Sequence, residues 1–518
     1  MSNPFRYFNS SPEIIRLAVL MYVKYPLSLR NVEDLLAERG IKTSGGPFAR
    51  EGERVAEGES PMRGSAEARG GGHGLFADLY ELTMLSAYGA CGMREAATFS
   101  LFVRELPESR NFLLACGLDD LLDELASFRF RADDIAYLRS LNMFPESLFD
   151  DLPDFRFAGD VFAVAEGTPI FANEPLLEVT APIGQAQVVE TLIVNQISLQ
   201  TVLASKAARV VAAAAGRPVV DFGARRAQGL DAALKGARAF AIAGVAGTSL
   251  LAAGARYHIP VVGTMAHSFV QAFDDEREAF AAFAEVYPTT VLLVDTYDTR
   301  QGVRHAIALA RRIGDDCRLT GVRLDSGDLD ALSRAARAML DEAGLQRLKI
   351  VASGGLNETR IDALAKAGAP IDIFGVGTEM SVAADAPALD IAYKLTEFAG
   401  SGRMKLSGRK ATTPGRKQIF RQTADGVAAR DIVARRDEIH EGTPLLEPVM
   451  VGGEPLKERA SLAVLGDRAT AMIASLPPAL RMLDKAAEGY SVAASDRLQA
   501  DAAALGARLS RAAGDGKA

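Results

Sequence analysis

Seven short apolar runs, rich in β-branched residues, return at intervals of roughly 20 to 30 residues through the middle of the chain. They are PVVDFG (218–223), FAIAGVA (240–246), IPVVGTM (259–265), TTVLLVD (289–295), TGVRLD (320–325), LKIVAS (348–353) and IDIFGVG (371–377). Between most of them apolar positions recur at helical spacing, over 229–239, 268–286, 301–313, 329–344 and 358–367. Continuous apolar runs alternating with amphipathic helices are the pattern of parallel strands in βα units. Nearly every run ends on polar residues or glycine. A barrel makes such ends converge, whereas a doubly wound sheet spreads them, so the pattern predicts an α/β barrel over residues 216–400.

Upstream the periods are mixed. DLYELTM (78–84) opens a helix with Asp78 in the cap position, ATFSLFVREL (97–106) alternates as a strand, and 117–157 reads mostly as helix. Short β runs broken by Gly and Pro fill 159–187, and a long helix is predicted from Glu190 to Ala215, carrying Asn195, Gln200, Lys206 and Arg209. Together these make an N-terminal α/β domain with a β-rich part over 73–215. Residues 401–518 begin with a basic, glycine-containing stretch (403–421), continue with a β run and mixed helices, and finish as an Ala-rich terminal helix and frayed tail from 491. Residues 42–72, rich in Gly, Ser, Glu and Arg, read as a disordered linker. Before it, Ile14, Ile15, Leu17 and Met21, then Leu29, Val32 and Leu35, outline two short helices joined at Tyr25-Pro26, as in part of a helix-turn-helix. Residues 5–41 resemble the N-terminus of insertion-sequence transposases. The stretch stops before a recognition module or an acidic catalytic set is complete, so 1–41 is expected to be a fused remnant or a mis-assigned start rather than a DNA-binding module.

Composition narrows the function classes. The 518 residues are 48% hydrophobic, enough for large cores, and a net charge of −8 with a pI near 5.5 argues against broad binding to nucleic acid or anionic membrane. Any phosphate chemistry must therefore use a local basic cluster. Three cysteines, Cys91, Cys116 and Cys317, lack metal-type spacing and suit a reducing compartment without a disulfide framework. No apolar run reaches the length of a membrane span and the N-terminus lacks a signal-peptide core, which points to the cytoplasm.

The polar set at the run ends is Arg225-Arg226, Thr248-Ser249, His267-Ser268, Asp295 to Thr299, Arg323, Asp325-Ser326-Gly327-Asp328, Ser353-Gly354-Gly355 and Gly375-Val376-Gly377-Thr378. Each group alone has a plain structural reading: a solvated face, a turn with a helix cap, a tight turn. Their recurrence at successive strand ends favours a shared site. SGG and GVGT allow backbone N–H groups to close around a phosphate. Arg225, Arg226, Arg323 and Lys206 offer donors to a carboxylate or diphosphate. Asp325 and Asp328 suit ribose hydroxyls or a hydrated Mg²⁺, and His267 suits a nucleophile or base. The implied ligand is an anionic, phosphorylated sugar.

DLYELTM, FVRELPESRNFLLACGL, EGTPIFANEPLLEVTAP, ETLIVNQISLQTVLASKAAR, DFGARRAQG, GTMAHSFVQAF, LLVDTYDT, GVRLDSGDL, FGVGTEM and KQIFR, in that order, resemble nicotinate phosphoribosyltransferases from about residue 73 to about 450. The resemblance implies a type II phosphoribosyltransferase fold: an N-terminal α/β-sandwich domain, completed by residues 401–518, plus an irregular α/β barrel, assembled as a homodimer with sites near the interface. It implies transfer of phosphoribose from phosphoribosyl pyrophosphate (PRPP) to nicotinate, giving nicotinate mononucleotide and pyrophosphate. The transfer is coupled to ATP hydrolysis, a ligase-type reaction of NAD salvage, with Mg²⁺ as cofactor and ATP as co-substrate. By the same resemblance His267 is transiently phosphorylated and Tyr80 stacks on the nicotinate ring. Arg225 and Arg323 face its carboxylate or the pyrophosphate, Ser268 and Asp325 help bind substrate, and Asp295 lies near the phosphoribosyl group. Ser353, Gly354, Gly355, Gly375, Gly377 and Thr378 bind the 5′-phosphate. Gly355 departs from the pattern, since many relatives carry Asp there. DFGARRAQG matches the acid-using rather than the nicotinamide-using branch, in keeping with a second Arg for a carboxylate. Neither nucleic acid nor membrane is an expected partner.

Overall fold

The computed structural model describes residues 72–406, 412–456 and 458–515. The readings of 1–41 as a helix-turn-helix fragment and of 42–71 as linker lie outside these residues. Among the described residues no helix is long and apolar enough to cross a membrane.

The middle of the chain builds a six-stranded parallel sheet in the order Gly247–Thr248, Val219–Asp221, Ile373–Val376, Lys349–Ala352, Gly321–Leu324, Val291–Leu293. Val220, Leu292, Leu293, Val322, Leu324, Ile350, Val351, Phe374 and Val376 are all buried. Helices Thr299–Ile313, Leu329–Glu342 and Glu358–Lys366 follow successive strands, and side-chain oxygens of Asp298, Asp328 and Asn357 accept hydrogen bonds from their first turns. Each such cap is worth about 1 kcal/mol.

Two of the seven apolar runs are not strands. Residues 240–246 end the helix Leu230–Ile242, whose Ala237, Ala239, Phe240 and Ile242 are buried. Residues 259–265 are irregular apart from a single bridge between Val261 and Thr248. The sheet is therefore open, but it curls. The loop after the Val261 edge and the loop after the opposite edge strand meet, His267 Nδ1 lying 3.1 Å from Thr296 Oγ1. Arg323 Nη2 also donates to Met265 O at 3.0 Å. This is an irregular, incompletely hydrogen-bonded barrel, with the strand C-terminal ends drawn together.

A seven-stranded antiparallel sheet stands beside it, in the order Ser401–Gly402, Ile391–Phe398, Ala96–Val103, Pro175–Pro182, Asp160–Val164, Leu446–Val451, Glu454–Pro455. Strands from before and after the parallel sheet thus share one layer. Phe99 and Tyr393 stack at 4.8 Å between neighbouring strands, and the buried Tyr393 hydroxyl donates to Ala186 O at 2.8 Å. Such a pair is worth about 1 kcal/mol beyond its buried area. A four-stranded sheet holds Thr443–Pro444, Lys417–Ala424, Val427–Arg435 and Ser491–Ala494, so the terminal segment starts as a strand before the helix Asp496–Asp515. The predicted first helix runs over Leu79–Ala90, with Asp78 at its N-cap but no capping bond from its side chain.

The helix Glu190–Ala213 is the spine of the molecule. On one side Ser205 Oγ accepts from Leu114 N and Thr201 Oγ1 donates to Cys116 O. On another, Lys206 is buried with its Nζ 2.6 Å from Glu358 Oε2 and 2.8 Å from Asp385 Oδ1. Arg209 Nε reaches Glu358 Oε1 at 3.1 Å, and the guanidinium of Arg110 grips Asp385. This hub holds Asp385 and Glu358 below the ordinary carboxylate range. Burial works against that depression, while hydrogen bonds from Arg110, Lys206 and Ser109 to Asp385, and from Lys206 and Arg209 to Glu358, outweigh it. Lys206 is therefore a structural cation within this hub, not a free donor for substrate.

Candidate active site

The loops that close the parallel sheet carry most of the residues singled out by sequence. Val219–Asp221 ends on a buried carboxylate: Asp221 Oδ1 accepts from Gly223 N at 2.8 Å and Oδ2 accepts from Thr248 Oγ1 at 2.7 Å. Burial pushes the Asp221 carboxyl above its ordinary pKa, against the pull of those two donors. The pairing ties two neighbouring strand ends and fixes the start of DFGARR. Phe222 follows, and the Arg323 guanidinium lies 5.8 Å from its ring centre. Glycine is needed at 375, where a Cβ would come within 2.5 Å of the Phe222 ring. Phe222 is thus a half-buried aromatic floor with a cation beside it.

Asp295, at the end of the Val291–Leu293 run, accepts through one oxygen from Asp325 N at 2.8 Å and Ser326 Oγ at 2.6 Å. Its other oxygen, Oδ1, is buried without a partner among the described residues. Arg323 Nε is buried and unpartnered too, and burial pushes this guanidinium below its ordinary value while Asp325 and Asp295 draw it back up. Unsatisfied buried groups of both signs, side by side, suit a site completed by a polar ligand. Asp325 Oδ1 accepts from Ser353 Oγ at 2.5 Å, and its Oδ2 lies 3.9 Å from His267 Nε2. His267 begins the short helix His267–Gln271, half-exposed, with Nδ1 held by Thr296.

Gly354, at φ +87°, is forced by close approach, since a Cβ there would meet Asp325 O at 1.7 Å. The backbone N–H groups of Gly354, Gly355 and Leu356 donate to no partner among the described residues. Gly377 caps the short helix Thr378–Ser381, and Ser381 Oγ donates to Gly377 O at 3.1 Å.

His267, Asp295, Arg323, Asp325, Ser353 and the Gly354-Gly355 turn therefore form one connected cluster, with Gly375 packed against Phe222. Arg225 and Arg226 sit exposed on a single 3-10 turn that leaves the cluster, Ser268 is exposed next to His267, and Thr378 is exposed at the second glycine loop. Asp328 is a helix cap, its Oδ1 accepting from Ala331 N at 3.2 Å. Tyr80 stands apart. It is 44% exposed beside a groove of about 440 Å³ lined by Glu190, Asn195, Ser198 and Pro387, and no contact joins it to the cluster among the described residues. Burial, then Glu190 and Glu81, push its phenol pKa up. Asp221 and Phe222 are the positions that sequence reading passed over. The available signal was an acid and an aromatic ring at a strand end, immediately before a glycine.

Comparison with known proteins bears on the same residues. The family model described as the nicotinate phosphoribosyltransferase (NAPRTase) N-terminal domain matches residues 75–198, and that of the nicotinate phosphoribosyltransferase (NAPRTase) family matches 218–433. Nicotinate phosphoribosyltransferase pncB2 of Mycobacterium tuberculosis is 54% identical over 432 residues, covering 83% of this chain and 93% of that protein. The nicotinate phosphoribosyltransferase of Bacillus subtilis is 44% identical over 355 residues, 67% of this chain and 72% of its own. Among solved structures, human nicotinic acid phosphoribosyltransferase superposes with a TM-score of 0.74 at 29% identity, over 83% of this chain and 99% of that one.

Proposed function

Because the chain belongs to the nicotinate phosphoribosyltransferase family, enzymes of NAD salvage, we propose that it joins nicotinate to PRPP at the cluster around Phe222, with ATP as co-substrate. The observation that carries this is one connected cluster in which His267, Asp295, Arg323 and Asp325 meet an aromatic ring and a turn whose three N–H groups have no partner among the described residues. In the reaction the nicotinate ring nitrogen attacks C1′ of PRPP, the C1′–oxygen bond breaks, and its electron pair leaves with pyrophosphate. The ring nitrogen is already nucleophilic, so the protein need only orient the partners and stabilise charge.

Each residue then has a task. Phe222 supplies a face for the flat pyridine ring, and Arg323 and Arg225 meet its carboxylate or the pyrophosphate, a planar fork suiting either. Asp295, whose buried Oδ1 has no partner among the described residues, is assigned to the phosphoribosyl group, where positive charge develops in the transition state. Asp325 and Ser268 contribute to substrate binding. The N–H groups at 353–356 and at 375–378 receive the 5′-phosphate. His267 takes the γ-phosphoryl of ATP. We assign His267 the tautomer in which Nδ1–H is donated to Thr296 Oγ1, 3.1 Å away; the lone pair is then on Nε2, and the new N–P bond forms there while the γ-phosphorus–oxygen bond to ADP breaks. Mg²⁺ fits this chemistry as an ion carried with the pyrophosphate, where it supplies positive charge at the leaving group. Asp295 and Asp325 are the carboxylates available to it, and no group of three or more His, Cys, Asp or Glu arranged for a metal occurs among the described residues.

Tyr80 is proposed to stack on nicotinate from a partner subunit of a homodimer, which accounts for its separation from the cluster of its own chain. The reaction is placed in the cytoplasm. For residues 1–41 the proposal is that they do not act as a DNA-binding module, and a gel shift with the first 72 residues tests it. The function is tested by pyrophosphate release from PRPP with nicotinate or nicotinamide at equal concentration. The proposal requires release with nicotinate and little with nicotinamide, and equal or reversed rates would overturn it.

A further inference from the structure

Gly354 (φ +87°) and Gly355 (φ +59°) are consecutive left-handed residues between the strand Lys349–Ala352 and the helix Glu358–Lys366. Arg360, in the first turn of that helix, folds back over them. Its Nη1 donates to Gly355 O at 2.7 Å and approaches Gly354 O at 3.4 Å. Asn357 Oδ1 accepts from Arg360 N at 2.9 Å, which anchors the backbone from which the side chain reaches. In a trans peptide the carbonyl and the following N–H point in opposite directions. Holding the carbonyls of 354 and 355 on the Arg360 side therefore turns the N–H groups of Gly355 and Leu356 to the other side. Those two, with the N–H of Gly354, are the ones without a partner among the described residues. Glycine at 355 also leaves the guanidinium its place, because a Cβ there would stand 2.9 Å from Arg360 Nη1.

We infer that Arg360 is a positioning residue for PRPP: its guanidinium fixes the Gly354 and Gly355 carbonyls so that the N–H groups of 354–356 converge on the 5′-phosphate. The inference deepens the proposed function and rests on its assignment of this turn to a phosphate. Both carbonyls are met by one nitrogen, Nη1, at the far end of the guanidinium, and the lysine ammonium ends one bond short of that position, so lysine should be only a partial substitute.

The test uses the full chain with Arg360→Ala and Arg360→Lys, steady-state kinetics, and titration with ribose 5-phosphate as the probe. Arg360→Ala should raise KM for PRPP about tenfold, with kcat and KM for nicotinate within about twofold of wild type. It should weaken ribose 5-phosphate binding by a similar factor, and Arg360→Lys should fall between the two. Should the alanine variant fail to fold, the lysine variant alone must still bind ribose 5-phosphate more weakly than wild type. A wild type that turns over nicotinate, with PRPP and ribose 5-phosphate unaffected by either substitution, overturns the inference. A wild type inactive on nicotinate whose ribose 5-phosphate binding still depends on Arg360 overturns the proposed reaction and leaves the role of Arg360 standing.

Discussion

Replacing Lys206 with methionine separates a structural cation from a substrate-binding one. Lys206 is 1% exposed, and its ammonium makes two short contacts, 2.6 Å to Glu358 and 2.8 Å to Asp385. Methionine keeps the apolar stem and removes the charge. Neither carboxylate is then orphaned, because Glu358 keeps Arg209 at 3.1 Å and Asp385 keeps Arg110 and Ser109. The loss should therefore fall below the 3–5 kcal/mol of a stranded buried charge, at about 2–3 kcal/mol. At roughly 2–4 °C per kcal/mol in a large domain, the midpoint of thermal unfolding should drop by about 5–10 °C. Lys206 touches none of the cluster around Phe222, so KM for PRPP measured well below the new midpoint should stay within about twofold of wild type. A tenfold rise in KM for PRPP with an unchanged midpoint would refute this reasoning and return Lys206 to the substrate.

Glu81 offers a pH test. Its residue is fully buried, Oε1 accepts from Thr191 N and Oγ1, and burial raises its carboxyl to about 7 despite those donors. The folded chain binds this proton more tightly than the unfolded one, so stability should fall as pH rises from about 4.5 to about 7 and then level off. Glu81→Gln should therefore gain about 1–2 kcal/mol over wild type in denaturant melts at pH 8 and almost nothing at pH 5, and an equal difference at both would contradict the assignment. Gly354→Ala must shift the turn away from Asp325 O, so KM for PRPP should rise by at least about tenfold, and the left-handed backbone alone, costing about 1–2 kcal/mol, should lower the melting midpoint by about 2–8 °C. Unchanged kinetics in that variant would place the phosphate elsewhere.

The parallel sheet was legible because its strands are buried on both faces, so TTVLLVD, TGVRLD, LKIVAS and IDIFGVG read as unbroken apolar runs ending in polar residues. FAIAGVA misleads for the same reason. A short apolar run is equally the buried face of a helix, and here Phe240 and Ile242 belong to one. IPVVGTM has strand-like residues, but its neighbour Gly247–Thr248 is two residues long and leaves room for one bridge. In the site, glycine spacing and the positions of His267, Asp295 and Asp325 at run ends could be read directly. The burial of Lys206 could not, since it depends on Glu358, 152 residues away, and on Asp385. Arg360 was equally hidden, because its meaning comes from two carbonyls that only the folded turn brings beneath it.

The central claim is that His267 couples ATP to phosphoribosyl transfer, and its most direct test is pyrophosphate release from nicotinate and PRPP, with and without ATP, in wild type and His267→Ala. Stimulation by ATP in wild type, and slow ATP-independent release in the variant, is the predicted result. Equal stimulation in both proteins would contradict it.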